Sequence, residues 1–314
     1  AGISTFFNVP AISENIKRKN VTFIHIIRGE VVMRWDYGTI YKKIRKSKHI
    51  SQEEVCQDYT SRAHLSRIES NQVVPSFELM EHLLKQVGLD FEEFRYICHS
   101  YHHSDREEII LLAEDNNAYQ SNDKLLELKN KSVAYLKKYP NDIPVSNTLK
   151  RVEVILCLRE SGPNEKVRMM ATEAWNEIKN QDVWYHSDLK LIVVILFTLP
   201  LETVISICDE VIDRLNDYSD YTEILPTKYK LLSNLASIFL WNGLMEKCTR
   251  ISYLLLDTAK KSKRYDFLGN AKVILGICLS DKKLVDEGLQ LLELTDEQTL
   301  LEACQSDVNR FFKE

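Results

Sequence analysis

The sequence is poor in the residues that punctuate a chain. Its 314 residues include 9 Gly and 7 Pro, too few for an architecture of many turns, so long helices with short connections are expected. No apolar run reaches the ~18 residues that a membrane span needs; the longest, Leu191 to Leu199, is too short. The seven cysteines are odd in number, widely spaced and without a CxxC pair. Neither a disulfide framework nor a zinc site fits that pattern. Most lie beside Ile, Leu or Val at helical spacing and read as small buried apolar residues, which suits a reducing cytoplasm. There is no Gly-rich phosphate loop, no HExxH, no GxSxG and no carboxylate cluster at metal-binding spacing. The His102-His103 pair reads as a polar linker. No catalytic residue, metal or cofactor is expected.

Hydrophobic residues make up 44% of the chain and charged residues 28%, an ordinary globular balance, and the length favours two domains. The net charge of −5 is unevenly spread. Residues 1–72 carry 12 Lys/Arg against 7 Asp/Glu, whereas residues 73–314 carry 29 against 39. A basic head on an acidic body implies that only the head meets a polyanion.

Residues 1–32 show no clear period and stop just before Met33, where a well-patterned domain begins. They read as an upstream extension; the alternative is a basic arm (Lys17, Arg18, Lys19) that touches DNA. Residues 33–101 hold five short helices. Ile40 and Ile44 share a face of the first. Ser51, followed by Gln52, Glu53 and Glu54, starts the second, and Ser61 caps the third, with Leu65 and Ile68 inward. Pro75-Ser76 opens the fourth, with Met80, Leu83, Leu84 and Val87 inward and Gly88 as its stop. Asp90 opens the fifth. Residues 105–314 read as ten or eleven helices without a strand. Breaks are expected near Tyr119, Pro140-Asn141, Gly162-Pro163, Gln181, Pro200, Tyr218 to Pro226, Asn242-Gly243, Lys263 and Ser280. Helices joined so closely form hairpins, and hairpins in series stack as a solenoid. The segments around Asn234 and Asn270 resemble each other with the two asparagines 36 residues apart, near the ~34-residue tetratricopeptide period. The expected class is all-α, with a tetratricopeptide-like second domain.

The stretch IRKSKHISQEEVCQDYTSRAHLSRIESNQVVPSFELMEHLLKQVGLDFEEF resembles the lambda-repressor-like, Xre-type helix-turn-helix along its whole length. In that arrangement the helix from Gln52 crosses the DNA backbone, and the helix from Ser61 to about Ser70 enters the major groove. Ser51 and Ser61 leave helix N-termini facing phosphates. The resemblance assigns Gln52 to a phosphate or base edge. Arg62, Ala63 and His64 point outward at the start of the recognition helix, Arg62 being the candidate for guanine readout because its fork matches O6 and N7. Arg67, one turn on, suits a phosphate. Lys42, Lys43, Lys46 and Lys48 add attraction that does not depend on sequence. The family's matching arginine and glutamate form an internal salt bridge, so Arg45 and Glu69 are expected to be structural. Cys56 stands where the family usually has Ala and should lie in the core.

An Xre-type domain followed by tetratricopeptide-like helices is similar to the peptide-sensing regulators of Gram-positive bacteria, and within them to the Rgg/GadR/MutR group. MRWDYGTIYKKIRKSKHISQEE, VWYHSDLKLIVVILFTLP and LLSNLASIFLWNG carry the likeness. It implies a cytoplasmic homodimer that binds promoter DNA and responds to a short hydrophobic signalling peptide in the concave face of the helical domain, with RNA polymerase as a further partner and no membrane. Some relatives join their DNA-binding domains by a disulfide from the start of helix 4; this chain has Ser76 there. Peptide backbones need paired donors and acceptors, which Asn amides supply. Lys230, Asn234 and Ser237 share one helix face, Asn270 repeats the position one unit on, and Asn147 pairs with Arg151, which suits a peptide carboxylate. Trp184, Tyr185 and Trp241 are expected in the core, with pocket lining as their other role. The alternative function is a regulator of the same type whose helical domain only dimerises or docks a protein partner. A groove lined with Asn and basic residues favours peptide sensing; an apolar convex patch favours docking.

Overall fold

A computed structural model describes residues 23–27, 30–34, 36–114 and 121–312. The chain divides into two compact units, residues 1–104 and 105–314.

The first described residues of the first unit form strands β1 (Phe23–Ile27) and β2 (Glu30–Arg34), paired antiparallel with Phe23 opposite Arg34 and Ile27 opposite Glu30. This pairing was not expected from the sequence. Its β-branched run, Ile24, Ile26, Ile27, Val31 and Val32, suits a pleated ribbon, and β2 runs across the boundary expected at Met33. Lys17, Arg18 and Lys19 lie outside the described residues.

Five helices follow: α1 (Tyr37–Ser47), α2 (Gln52–Cys56), α3 (Arg62–Glu69), α4 (Phe77–Gln86) and α5 (Phe91–Cys98). Each of the last four starts on a side-chain cap, from Ser51, Ser61, Ser76 and Asp90. Ser51 and Glu54 form a reciprocal capping box that satisfies two orphan donors. Gly88, at φ +67°, ends the α4 segment in the left-handed region that glycine tolerates. Tyr41, Val55, Cys56, Leu65, Ile68, Leu83 and Leu84 form the core, with Ile40 and Ile44 packed at its edge. Tyr41, rather than the Ile pair, is the fully buried residue of α1, and its hydroxyl donates to the Leu83 carbonyl at 3.2 Å.

The second unit contains, among the described residues, α6 (Asp105–Glu114), α7 (Asn122–Leu136), α8 (Ile143–Ser161), α9 (Glu165–Ile178), α10 (His186–Ile195), α11 (Leu201–Asp217), α12 (Leu225–Trp241), α13 (Met245–Ser262), α14 (Tyr265–Leu279), α15 (Lys282–Leu294) and α16 (Gln298–Phe311). The even-numbered helices touch one another in series, from α6 through α8, α10, α12 and α14 to α16. Most odd-numbered helices pack beside their even neighbours as a second layer. Hairpins stacked in this way form a solenoid with one continuous core, here built around Trp184, Leu189, Ile192, Leu235, Phe239, Ile251 and Ile274. Helices α14 and α15 approach closely through glycines. A Cβ at Gly288 would lie 2.6 Å from the Gly269 carbonyl oxygen, so both positions need glycine for steric reasons. The expected breaks recur at Gly162, Pro200, Gly243, Lys263 and Ser280; Tyr119 lies outside the described residues.

Candidate DNA-binding surface and ligand cavity

Helix α3 is anchored by Leu65 and Ile68, both buried, and turns Ser61, Arg62, Ala63 and Arg67 to solvent, with His64 half-buried. The Ser61 hydroxyl accepts the His64 amide at 3.2 Å. The other amides of that first turn lack intrahelical acceptors, as at any helix start. Arg62 approaches Glu53 to 3.9 Å, but both side chains are largely exposed, so the pair is loose and weak. Lys43 and Lys46 are exposed on α1. Lys48 is also exposed, and its ammonium donates to the Val87 carbonyl at the end of α4 at 2.6 Å.

Below this surface lies a closed polar network. The Arg45 guanidinium donates to both Glu69 carboxylate oxygens, at 2.6 and 2.9 Å, and to the Ile50 carbonyl at 2.6 Å. Arg45 and Glu69 are buried, and the hydrogen bonds to Glu69 raise the arginine's pKa further above its ordinary value. The Gln52 amide nitrogen also donates to Glu69, at 2.9 Å. Gln52 is therefore held in place by the buried pair, with its second amide hydrogen left over for an acceptor such as a phosphate oxygen.

The second unit encloses a cavity of about 490 Å³ on its even-numbered layer. Arg151, Ile155 and Leu158 come from α8, Val193 and Val194 from α10, and Phe197 from the turn after it. Lys230, Ser233 and Asn234 come from α12, and Asp266, Phe267 and Asn270 from α14. Tyr229 stacks on Phe267 at 3.6 Å between ring centres, and the Arg264 guanidinium sits 4.6 Å over Phe267. Arg264 is paired with Asp266 at 2.8 Å.

The cavity's amides are braced. Asn234 donates to the Val193 carbonyl at 2.8 Å; Asn270 donates to the Tyr229 hydroxyl at 2.7 Å and the Ser233 hydroxyl at 3.2 Å. Arg151 is not. It is buried, its Nε has no partner among the described residues, and its Nη2 makes one long bond, 3.4 Å, to the Ala113 carbonyl. Burial lowers its pKa, opposed in part by the Glu114 carboxylate, which is ion-paired with Lys190. Burial also holds Lys230 below the usual lysine range, and the positive charge of Arg151 adds to that shift. One wall of the cavity thus carries two cationic side chains, Arg151 and Lys230, beside apolar surface, with the lining carboxylates Asp266 and Glu297 contributed by other segments; the incompletely bonded Arg151 guanidinium favours an anionic group.

Residues 42–94 match the helix-turn-helix family model, HTH_3. This matched stretch of the first unit is a helix-turn-helix domain. The chain also shares its fold with solved structures at low identity. Bacillus thuringiensis PlcR, solved in complex with the peptide PapR7 and DNA, is 16% identical with a TM-score of 0.65, over 86% of this chain and 99% of that one. The Streptococcus dysgalactiae SHP pheromone receptor Rgg2 is 14% identical with a TM-score of 0.62, over 87% and 99%. ComR from S. thermophilus, solved with DNA and its signalling peptide ComS, is 15% identical with a TM-score of 0.55, over 86% and 97%.

Within the helix-turn-helix domain the structure groups Ser61, Arg62, Ala63, His64 and Arg67 on one short helix, while Gln52 belongs to the Arg45–Glu69 network beneath it. In the helical unit, Arg151, Lys230, Asn234 and Asn270 meet at one cavity. Two expected partners do not join them. Asn147 is buried and donates to the Asp188 carboxylate at 3.0 Å, a helix-to-helix brace. Ser237 lies one turn beyond the cavity, and Ser233 takes its place. Trp184 is in the core as expected, its indole nitrogen donating to the Ile178 carbonyl at 2.9 Å. Tyr185 and Trp241 are exposed at 64% and 56%, against the core packing expected for both. Sequence reasoning missed Tyr229, Phe267, Arg264 and Asp266. Spacing carries a signal for Tyr229, which precedes Lys230 and lies one turn from Ser233.

Proposed function

We propose that this chain is a sequence-specific DNA-binding transcription regulator gated by a short hydrophobic peptide held in the cavity of its helical unit, as in the Rgg/GadR/MutR group. The observation that carries the reading is Arg151, a buried arginine that lines a cavity of about 490 Å³ and whose Nε has no hydrogen-bond partner among the described residues. The peptide's carboxylate binds Arg151 and Lys230, its apolar side chains lie against Ile155, Leu158, Val193 and Phe197, and its backbone meets Asn234 and Asn270. The fold likeness to regulators solved with a signalling peptide and DNA supports the assignment. The lining of Asn and basic residues favours it over a unit that only dimerises or docks a protein.

On DNA, α3 enters the major groove. Arg62 reads a guanine, Arg67, Lys43 and Lys46 meet phosphates, and Ala63 and His64 flank the base edges. The regulator acts as a cytoplasmic homodimer whose two α3 helices fit half-sites about 34–36 Å apart, and it reaches RNA polymerase from the promoter. No described helix is long and apolar enough to cross a membrane. The peptide works by binding one conformation of the helical unit more tightly than another, which shifts DNA affinity by the same coupling.

The test is promoter-DNA binding by the full chain at fixed salt, titrated with short hydrophobic peptides encoded near its gene. A peptide-dependent change in DNA affinity that is lost on Arg151→Met is expected. Firm DNA binding that no peptide alters would leave the helical unit an assembly module.

A further inference from the structure

Cys248, near the start of α13, and Cys278, at the end of α14, place their sulfur atoms 3.0 Å apart. Both are free thiols. A disulfide needs about 2.05 Å between sulfurs, so the two thiols stand about 1 Å from bonding distance. Six of the seven cysteines are buried; Cys278 alone is partly exposed. The hydrogen bond that Cys278 makes to the Cys248 sulfur, joined by those with the Thr249 and Ser252 hydroxyls, holds the Cys278 thiol down at about 7 against the opposing effect of burial. Burial raises the thiols of Cys98, Cys208 and Cys304. Accessibility, thiolate character and a resolving partner are the three features that mark an oxidisable cysteine, and here they coincide at one position.

We propose that Cys278 and Cys248 form a peroxide-sensitive modification site, with Cys278 attacked first and Cys248 closing the disulfide. The Cys278 thiolate attacks one oxygen of hydrogen peroxide. The O–O bond breaks, hydroxide leaves and takes a proton to become water, and the sulfur is oxidised to sulfenic acid. The Cys248 sulfur then attacks the Cys278 sulfur. The S–O bond breaks, the S–S bond forms, and the departing hydroxide takes up the Cys248 proton as a second water. Two thiols and one peroxide give one disulfide and two waters, and a thiol reductant reverses the change. Helix α14 also carries Asp266, Phe267 and Asn270, so the bond ties one wall of the cavity to α13.

The experiment treats the full chain with near-stoichiometric hydrogen peroxide, then counts free thiols after denaturation and maps the linked peptides by mass spectrometry. Loss of two of the seven thiols, a Cys248–Cys278 cross-link and full recovery with dithiothreitol are expected. Cys278→Ser should lose no thiols. Cys248→Ser should stop at a Cys278 sulfenic acid that dimedone traps. Because Cys248 is buried and its variant can fail to fold, dimedone is also added to the wild-type chain together with peroxide, where the first adduct should fall on Cys278. Retention of all seven thiols, a first adduct on another cysteine, or a disulfide between different partners or between chains would overturn the proposal.

Discussion

Each unit of the molecule buries an arginine, and the two are treated in opposite ways. In the helix-turn-helix domain, Arg45 spends its guanidinium on two Glu69 oxygens and the Ile50 carbonyl. In the helical unit, Arg151 is also buried but, among the described residues, has one long bond and no partner for its Nε. Burying a charge is costly unless it is paired and hydrogen-bonded. The first arginine therefore contributes to a unique fold. The second leaves a deficit that an incoming anion can fill. Buried charge on its own does not separate scaffold from site; the completeness of its partners does.

Removing one member of each set should break the comparison most sharply. Glu69→Ala strands the Arg45 charge and should cost about 3–5 kcal/mol of stability, measured by urea unfolding. Arg151→Met removes a poorly paired charge and should leave the free protein between unchanged and about 1–4 kcal/mol more stable, while abolishing the peptide response. A comparable loss at both positions would show that Arg151 is also structural.

On the DNA side the effects are smaller and differ in kind. Arg62→Ala should cost about 1–3 kcal/mol and relax discrimination at one base position, whereas Arg67→Ala should weaken binding to all sequences and lower the salt slope by about 1. Titrations against operator variants at several salt concentrations distinguish them.

A pH effect belongs to the helical unit. His186, half-buried and 3.0 Å from the Thr227 hydroxyl, is held by burial at about 4 against its ordinary 6.5, with the nearby Lys190 charge adding to the depression. Above pH 6.5 neither the folded nor the unfolded chain protonates it. Between about 6.5 and about 4 only the unfolded chain does, so its contribution to stability falls with pH across that window, and below about 4 the loss stops growing. Thermal melts of His186→Asn should show a shallower decline over the same range than the wild type, and parallel curves would contradict this. The smallest effect is expected from Ser237→Ala, which should leave peptide affinity unchanged by calorimetry, while Ser233→Ala weakens it modestly by loosening Asn270.

Much of the helix-turn-helix domain was legible because its signals are local. Ser51, Ser61, Ser76 and Asp90 each cap a helix through a side chain within three residues, and chain order alone exposes such pairs. The solenoid was legible from its periodicity and its Gly and Pro breaks. The turn between α15 and α16 was not, because Thr295-Asp296-Glu297 contains neither residue and turns through Asp296 at φ +56°. The cavity was half legible. Helical spacing put Lys230, Asn234 and Asn270 on inner faces, but contacts across 41 residues, such as Asn147 to Asp188 and Asn234 to Val193, decide which amides are already engaged. Spacing along one helix carries no information about them. Trp241 illustrates the same limit. Its apolar sequence context suggests a core residue, yet the indole lies exposed beneath the Arg310 guanidinium, 5.1 Å from the ring centre.

The most direct test of the cavity assignment compares one active hydrophobic peptide with a free carboxyl terminus and with an amidated one, by calorimetry on the full chain and on Arg151→Met. A charge-assisted hydrogen bond to a buried partner contributes about 1.5–3 kcal/mol. Amidation should therefore weaken binding to the wild type by roughly ten- to a hundred-fold and leave the already weak binding to Arg151→Met unchanged. Equal affinity of the two peptides for the wild-type chain would contradict the account, because Arg151 would then not be the group that holds the ligand.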